Sequence, residues 1–101
     1  MDYFEKKVVS ELKKQNYQNF EKFYYKYVDY IHYVISLYIK NIETIDDLTQ
    51  EVFMRIIDKI NLFDDSKSSF KTWIFNVTKN YTINHINQNK EKYILDEEAI
   101  N

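Results

Sequence analysis

Apolar residues recur along this chain at intervals of three and four rather than two, which gathers them on single faces of helices and argues against strands. The clearest series is Phe20, Phe23, Tyr24, Tyr27, Val28, Ile31, Val34, Ile35, Tyr38 and Ile39, one stripe over about five turns. Leu48, Val52, Phe53, Ile56, Ile57 and Ile60 form a second stripe, and Phe70, Trp73, Ile74, Val77, Tyr81 and Ile86 a third. A weaker repeat of Phe4, Val8 and Leu12 fades at Gln15 and Asn16 and predicts a short first helix. No segment alternates convincingly as a strand would. The pattern predicts an all-α fold, a compact bundle of about four helices.

Polar punctuation sets the expected ends. Asn16 or Asn19 can cap the second helix, and Thr44 followed by Asp46 and Asp47 suits the start of a third running from Ile45 to about Ile60. Residues 61–69 form a polar connection anchored by Leu62 and Phe63, where Ser68 or Ser69 can cap a last helix from Phe70 to about Asn87. Residues 1–92 are then one helical domain, and 93–101 an acidic tail or the start of a linker with too little apolar surface to fold alone. Tyr25, Tyr30 and Tyr33 lie off the second helix's stripe, where a tyrosine ring can be half-buried with its hydroxyl satisfied.

Composition narrows the function classes. The 101 residues suffice for one core, and the absence of cysteine excludes disulfides and thiolate metal sites. Glycine and proline are also absent, so turns must rely on Asn, Asp and Ser, and no glycine-rich phosphate loop can form. With no Ser-His-Asp set and no cluster of metal ligands, the residues predict neither an enzyme nor a cofactor. His32 stands alone and reads as a surface or satisfied residue. Charges among the first residues break up any signal-peptide pattern, and no apolar run is long enough to cross a bilayer. A membrane-surface role fits poorly, because lysines and carboxylates are interleaved. The expectation is a cytoplasmic protein.

The net charge of -2 conceals an alternation. Residues 1–42 carry seven lysines against five acids (+2), and 43–65 seven acids against Arg55 and Lys59 (-5). Residues 66–92 carry five lysines against Glu91 (+4), and the last nine add three acids. Two faces with different partners are implied. Asp47, Gln50, Glu51 and Arg55 crowd the outer side of the third helix, while Lys71, Thr72, Asn76, Lys79, Asn80 and Asn84 lie between the apolar positions of the last. Lysines with side-chain amides suit nucleic acid. Taken singly, each face is also what an ordinary solvated helix presents.

Two blocks together bring a family into view. The run IDDLTQEVFMRI at 45–56, followed after about a dozen residues by FKTWIFNVTKN at 70–80, resembles the second conserved region of bacterial sigma factors, with the extracytoplasmic-function group the nearest pattern. The matching positions are Asp46, Asp47, Leu48, Gln50, Glu51, Val52 and Phe53, then Phe70, Lys71, Trp73, Ile74 and Asn80, and FEKFYYKY at 20–27 also fits. The resemblance implies a region 2 helical domain that docks on the clamp coiled coil in the largest subunit of core RNA polymerase through Asp47, Gln50, Glu51 and Arg55. It further implies that the last helix and the loop before it recognise and melt the promoter minus-ten element and hold the non-template strand. Asn80 then lies at the point of strand separation with Asn84 near a base edge. Lys67, Lys71 and Lys79 meet phosphates, and Asp65 to Ser69, including Ser68, form a pocket wall. An anti-sigma protein is a further partner class the resemblance allows. Melting costs about 1.4 kcal/mol per base step, and stacking a freed base returns about 1 to 3 kcal/mol, so only a few bases need be held. Trp73, on the apolar stripe, is expected in the core rather than against a base.

The sequence also departs from the family's pattern. Members follow the matching Asn with an acid and an Arg-rich run, whereas Asn84, Asn87, Gln88 and Asn89 stand here, which predicts weaker phosphate binding and a smaller salt dependence. The sequence ends before the family's helix-turn-helix domain, so promoter selection by these residues alone is not expected. The alternative function is a polymerase-binding helical module, a single-domain regulator or decoy, without DNA melting.

Overall fold

The computed structural model describes residues 1–90, and the expected tail over 93–101 lies outside the described residues. Helices α1 (Tyr3–Lys13), α2 (Phe20–Ser36), α3 (Ile42–Lys59) and α4 (Phe70–Gln88) follow in order, with a single 3₁₀ turn at Ile60–Leu62 after α3. The all-α bundle is as the periodicity predicts, and the described residues contain no strand. Helices α2, α3 and α4 pack on one another, and α1 lies against the 3₁₀ turn.

Phe23 of α2 is the hub of the core. Fully buried, it meets the rings of Phe20, Tyr27, Phe53 and Phe70 with centroids 5.5 to 6.0 Å apart. Tilted and edge-on ring pairs place positive ring edges against negative faces, a gain beyond simple burial. Phe63, from the connection after the 3₁₀ turn, adds to the cluster through Phe70 at 5.2 Å and Trp73 at 5.4 Å. Trp73 also stacks on Phe70 and is half-buried, the core role expected of it. Helix α2 ends at Ser36, earlier than its stripe suggested. Tyr38 emerges into solvent and Ile39 turns back into the core from the connection. Tyr30 is half-buried as expected, but Tyr25 and Tyr33 are exposed on the outer side of α2.

Three buried threonines were not predicted in the core. Thr49, Thr78 and Thr82 each donate a hydroxyl to the carbonyl four residues earlier, at 2.7 to 2.8 Å, so the methyl can pack inward with no polar atom left unsatisfied. The innermost row of α4 is therefore Phe70, Ile74, Thr78 and Thr82, with Val77 and Tyr81 at its margin.

The ends of the helices follow capping chemistry, with one shift in position. Asn41, not Thr44, caps α3: its Oδ1 accepts from the Thr44 amide at 2.9 Å, and the helix starts three residues before the expected place. Ser69 caps α4, accepting from the Thr72 amide at 3.1 Å while its hydroxyl donates to Thr72 Oγ1 at 2.9 Å. Asn19 precedes α2 without capping it, because its amide is turned back to donate to Glu11 at 2.9 Å. The end of α1 is a Schellman turn: Asn16 N donates to Glu11 O and Gln15 N to Leu12 O, with Gln15 in the left-handed region at φ 59°. With no glycine in the chain, a glutamine holds the position glycine usually takes.

The first helix is fastened at both ends. Asp2 caps it, accepting from the Glu5 amide at 2.7 Å, and takes Lys26 Nζ of α2 at 2.9 Å. The amide bond first and the lysine second hold the Asp2 carboxyl below its ordinary range. Glu5 accepts a hydrogen bond from the Tyr27 hydroxyl. At the other end Lys13 Nζ donates to the carbonyl of Phe63 at 2.8 Å, tying α1 to the segment that leads into α4. No helix among the described residues is long and apolar enough to cross a membrane.

Candidate functional site

Helix α3 turns Ile45, Leu48, Thr49, Val52, Phe53 and Ile56 inward, so the intervening positions must face outward. Asp47, Gln50, Glu51 and Arg55 are all exposed and lie within nine residues of one helix, where side chains three and four apart are neighbours. The structure brings these four predicted residues onto one surface. Met54, outside the four predicted contacts, stands among them and is 59% exposed. Its spacing to Gln50, Glu51 and Asp58 was the available signal, since three- and four-residue steps from each meet at Met54.

Two tyrosines from neighbouring helices grip this surface from either side. Tyr24 of α2 accepts a bond from Gln50 Nε2 at 2.8 Å. Tyr81 of α4 donates to Glu51 Oε2 at 2.9 Å, and the Arg55 guanidinium sits 5.3 Å from the centre of the same ring. Burial first, and then the bond to the Glu51 carboxylate, push the Tyr81 phenol above its ordinary value. Farther along, His32 of α2 lies 3.2 Å from Asp46, the satisfied surface role expected of a lone histidine.

The last helix presents its polar residues differently from the simple two-sided picture. Thr72, Asn76, Asn80 and Asn84 follow one another at intervals of four and are all exposed, forming a row opposite the buried one. Among the described residues none of the three asparagine side chains has a hydrogen-bond partner, so their donors and acceptors face solvent. Asn76, already grouped with Asn80 and Asn84 by its place between the apolar positions, belongs to this row as fully as they do, and the four-residue spacing makes it an equal candidate for the strand contact. Lys71 does not join the row. Nine residues from Asn80, it lies about half a turn around the helix axis, with its ammonium 4.8 Å above the Tyr30 ring of α2. Lys79, partly buried, lies between the two directions.

The loop entering α4 is built by side chains. Asp64 Oδ1 accepts from both the hydroxyl and the amide of Ser66, at 2.7 and 2.9 Å, and these bonds hold the carboxyl's pKa below its ordinary range. Lys67 is exposed and Ser68 half-buried just before the Ser69 cap. On the side of the loop toward α1 an open groove of about 720 Å³ is lined by Lys6, Val9, Lys13, Leu62, Asp64 and Lys67. It was not predicted, because its walls come from segments some 50 residues apart.

Comparison with known proteins bears on both surfaces. The family model described as sigma-70 region 2 matches residues 23–92, from within α2 through α3 and α4. The chain is also similar to the ECF RNA polymerase sigma factor SigW of Bacillus subtilis (strain 168), at 31% identity over 99 residues, which is 98% of this chain and 52% of that protein. The chain thus spans about half the length of this curated relative. No solved structure matches it.

Proposed function

The chain belongs to the sigma-70 region 2 family, with its likeness to an ECF factor supporting that group, and from this premise we propose that it binds core RNA polymerase and helps open the promoter minus-ten element. The outer face of α3 is the polymerase contact. Asp47, Gln50, Glu51 and Arg55 meet the clamp coiled coil of the largest subunit, and Met54 gives this polar surface an apolar centre. Desolvated apolar centres with hydrogen-bonding rims are where binding energy concentrates. The surplus of five negative charges over residues 43–65 steers a basic partner to this face. An anti-sigma protein that covers the same face would compete with polymerase.

The exposed amide row of α4 is the strand contact. Asn80 and Asn84 offer paired donors and acceptors to the edges of unstacked bases in the non-template strand. Lys67 and Lys79 add charge for the phosphates without reading sequence. The loop with Ser68 closes one end.

The observation that carries this reading is the joint exposure of Asp47, Gln50, Glu51 and Arg55 on one rigid helix in a chain of this family. Retention of core RNA polymerase by the tagged chain tests it. Wild type is expected to retain polymerase, and Asp47→Lys and Gln50→Ala to lose most of it while melting at the wild-type temperature. A wild-type chain that retains none removes the proposal.

One observation favours a second reading, a polymerase-binding module without melting activity. Lys71 and Asn80 face different ways, and the amide row carries no cation of its own. Asn80→Ala with Asn84→Ala separates the two readings. Promoter opening falls with polymerase binding intact under the first, and neither changes under the second.

A further inference from the structure

The α3 surface is held in shape from outside the helix, and this deepens the polymerase-binding reading on which it rests. Gln50 and Glu51 are long, exposed side chains that on an isolated helix would sample many rotamers, and a partner would have to freeze them on binding. Here each is already tied to a different neighbouring helix. Gln50 Nε2 donates to Tyr24 Oη at 2.8 Å, and Tyr81 Oη donates to Glu51 Oε2 at 2.9 Å, across 26 and 30 residues of sequence. Neither tyrosine is free to swing. The Tyr24 ring packs on Phe53 at 4.7 Å and on Tyr25 at 5.4 Å, and Tyr81 is half-buried beneath Arg55 at 5.3 Å. The two phenols are therefore fixed posts. They point Gln50 to one side of α3 and Glu51 with Arg55 to the other, and leave Met54 open between them.

We infer that Tyr24 and Tyr81 are positioning residues for polymerase binding. They act through Gln50 and through Glu51 with Arg55, and set those side chains in their binding arrangement before the partner arrives. Pre-organisation of this kind raises affinity by removing ordering losses rather than by adding contacts.

Removing only the hydroxyls tests the inference. Tyr24→Phe and Tyr81→Phe keep the rings, and with them the packing on Phe53 and the stacking under Arg55. Each should weaken binding of the full chain to core RNA polymerase about three- to tenfold. Gln50→Ala and Glu51→Ala are made alone and in combination with the corresponding Phe variant, and melting temperatures are recorded for all. The hydroxyl's effect on affinity should vanish when its partner side chain is absent: Tyr81→Phe should cost nothing further in a Glu51→Ala background, nor Tyr24→Phe in Gln50→Ala. A merely structural hydroxyl would lower the melting temperature and affinity alike in both backgrounds, and that result overturns the inference. So does unchanged affinity in both Phe variants when Glu51→Ala weakens binding, a result that leaves the polymerase-binding reading standing. A wild-type chain that binds no polymerase removes both.

Discussion

Replacing Gln15 by glycine should stabilise the domain. Gln15 follows α1 at φ 59°, where a side chain's Cβ crowds the next carbonyl, at a cost of about 1 to 2 kcal/mol for a residue other than glycine. Glycine removes that strain and gives back about 0.4 to 1 kcal/mol through the greater freedom of the unfolded chain. The bonds that need the conformation are made by backbone alone, Gln15 N to Leu12 O at 3.0 Å and Asn16 N to Glu11 O at 2.8 Å, so they survive the exchange. The Gln15 side chain is exposed and makes no hydrogen bond among the described residues. The net gain is about 0.5 to 1 kcal/mol, which for a domain of this size raises the melting temperature by about 3 to 6 °C. Thermal unfolding followed by circular dichroism, with a urea midpoint that rises at constant slope, measures it. Gln15→Val, which adds β-branching at the same φ, should move the midpoint the other way. If glycine leaves stability unchanged or lowers it, the turn is not left-handed in solution, and the Schellman account of how α1 ends is wrong.

Three further outcomes follow from the geometry. Asn41→Ala should lose about 1 kcal/mol through its cap bond, and Thr44→Ala distinctly less, since only the Thr44 amide takes part; urea unfolding of both variants decides which residue starts α3. Tyr27 holds its proton above the ordinary phenol value of 10.0, chiefly through burial and then through its bond to Glu5. The folded state binds that proton more tightly than the unfolded chain does. Its contribution is therefore complete below about pH 10 and is lost as pH rises beyond, and unfolding free energies across that range should fall less steeply in Tyr27→Phe. On single-stranded promoter DNA with polymerase present, Lys67→Ala and Lys79→Ala should each flatten the salt dependence of binding by about 0.7 in the logarithmic slope. Lys71→Ala, its ammonium over Tyr30 and away from the amide row, should leave that slope nearly unchanged.

The contrast between Lys71 and Asn80 also shows where reading the sequence stops. Apolar spacing located all four helices, because a buried stripe must repeat with the helical period and an error of one residue would place Ile31 or Val52 in water. The same logic exposed Asp47, Gln50, Glu51 and Arg55, since everything between the inward positions of α3 has only one way to face. It failed in α4 for two physical reasons. Threonine is counted as polar, yet a hydroxyl bonded to the carbonyl four residues back leaves only its methyl to pack, so Thr78 and Thr82 extend the core row. With that row misplaced, every polar residue between the apolar ones was assigned to a single opposite face, although steps of about 100° per residue spread them around most of the helix. The start of α3 was misplaced for a related reason. Asn41 and Thr44 are both good caps, and the two residues between them, Ile42 and Glu43, are exposed, so the core offers no position by which to choose. The bonds that tie Tyr24 to Gln50 and Tyr81 to Glu51 lie beyond any local rule, because they depend on how α2 and α4 are seated against α3. A face can thus be legible from spacing while the side chains that hold it in shape are not. Those side chains belong to neighbouring helices, and only the packing of the bundle brings them within bonding distance.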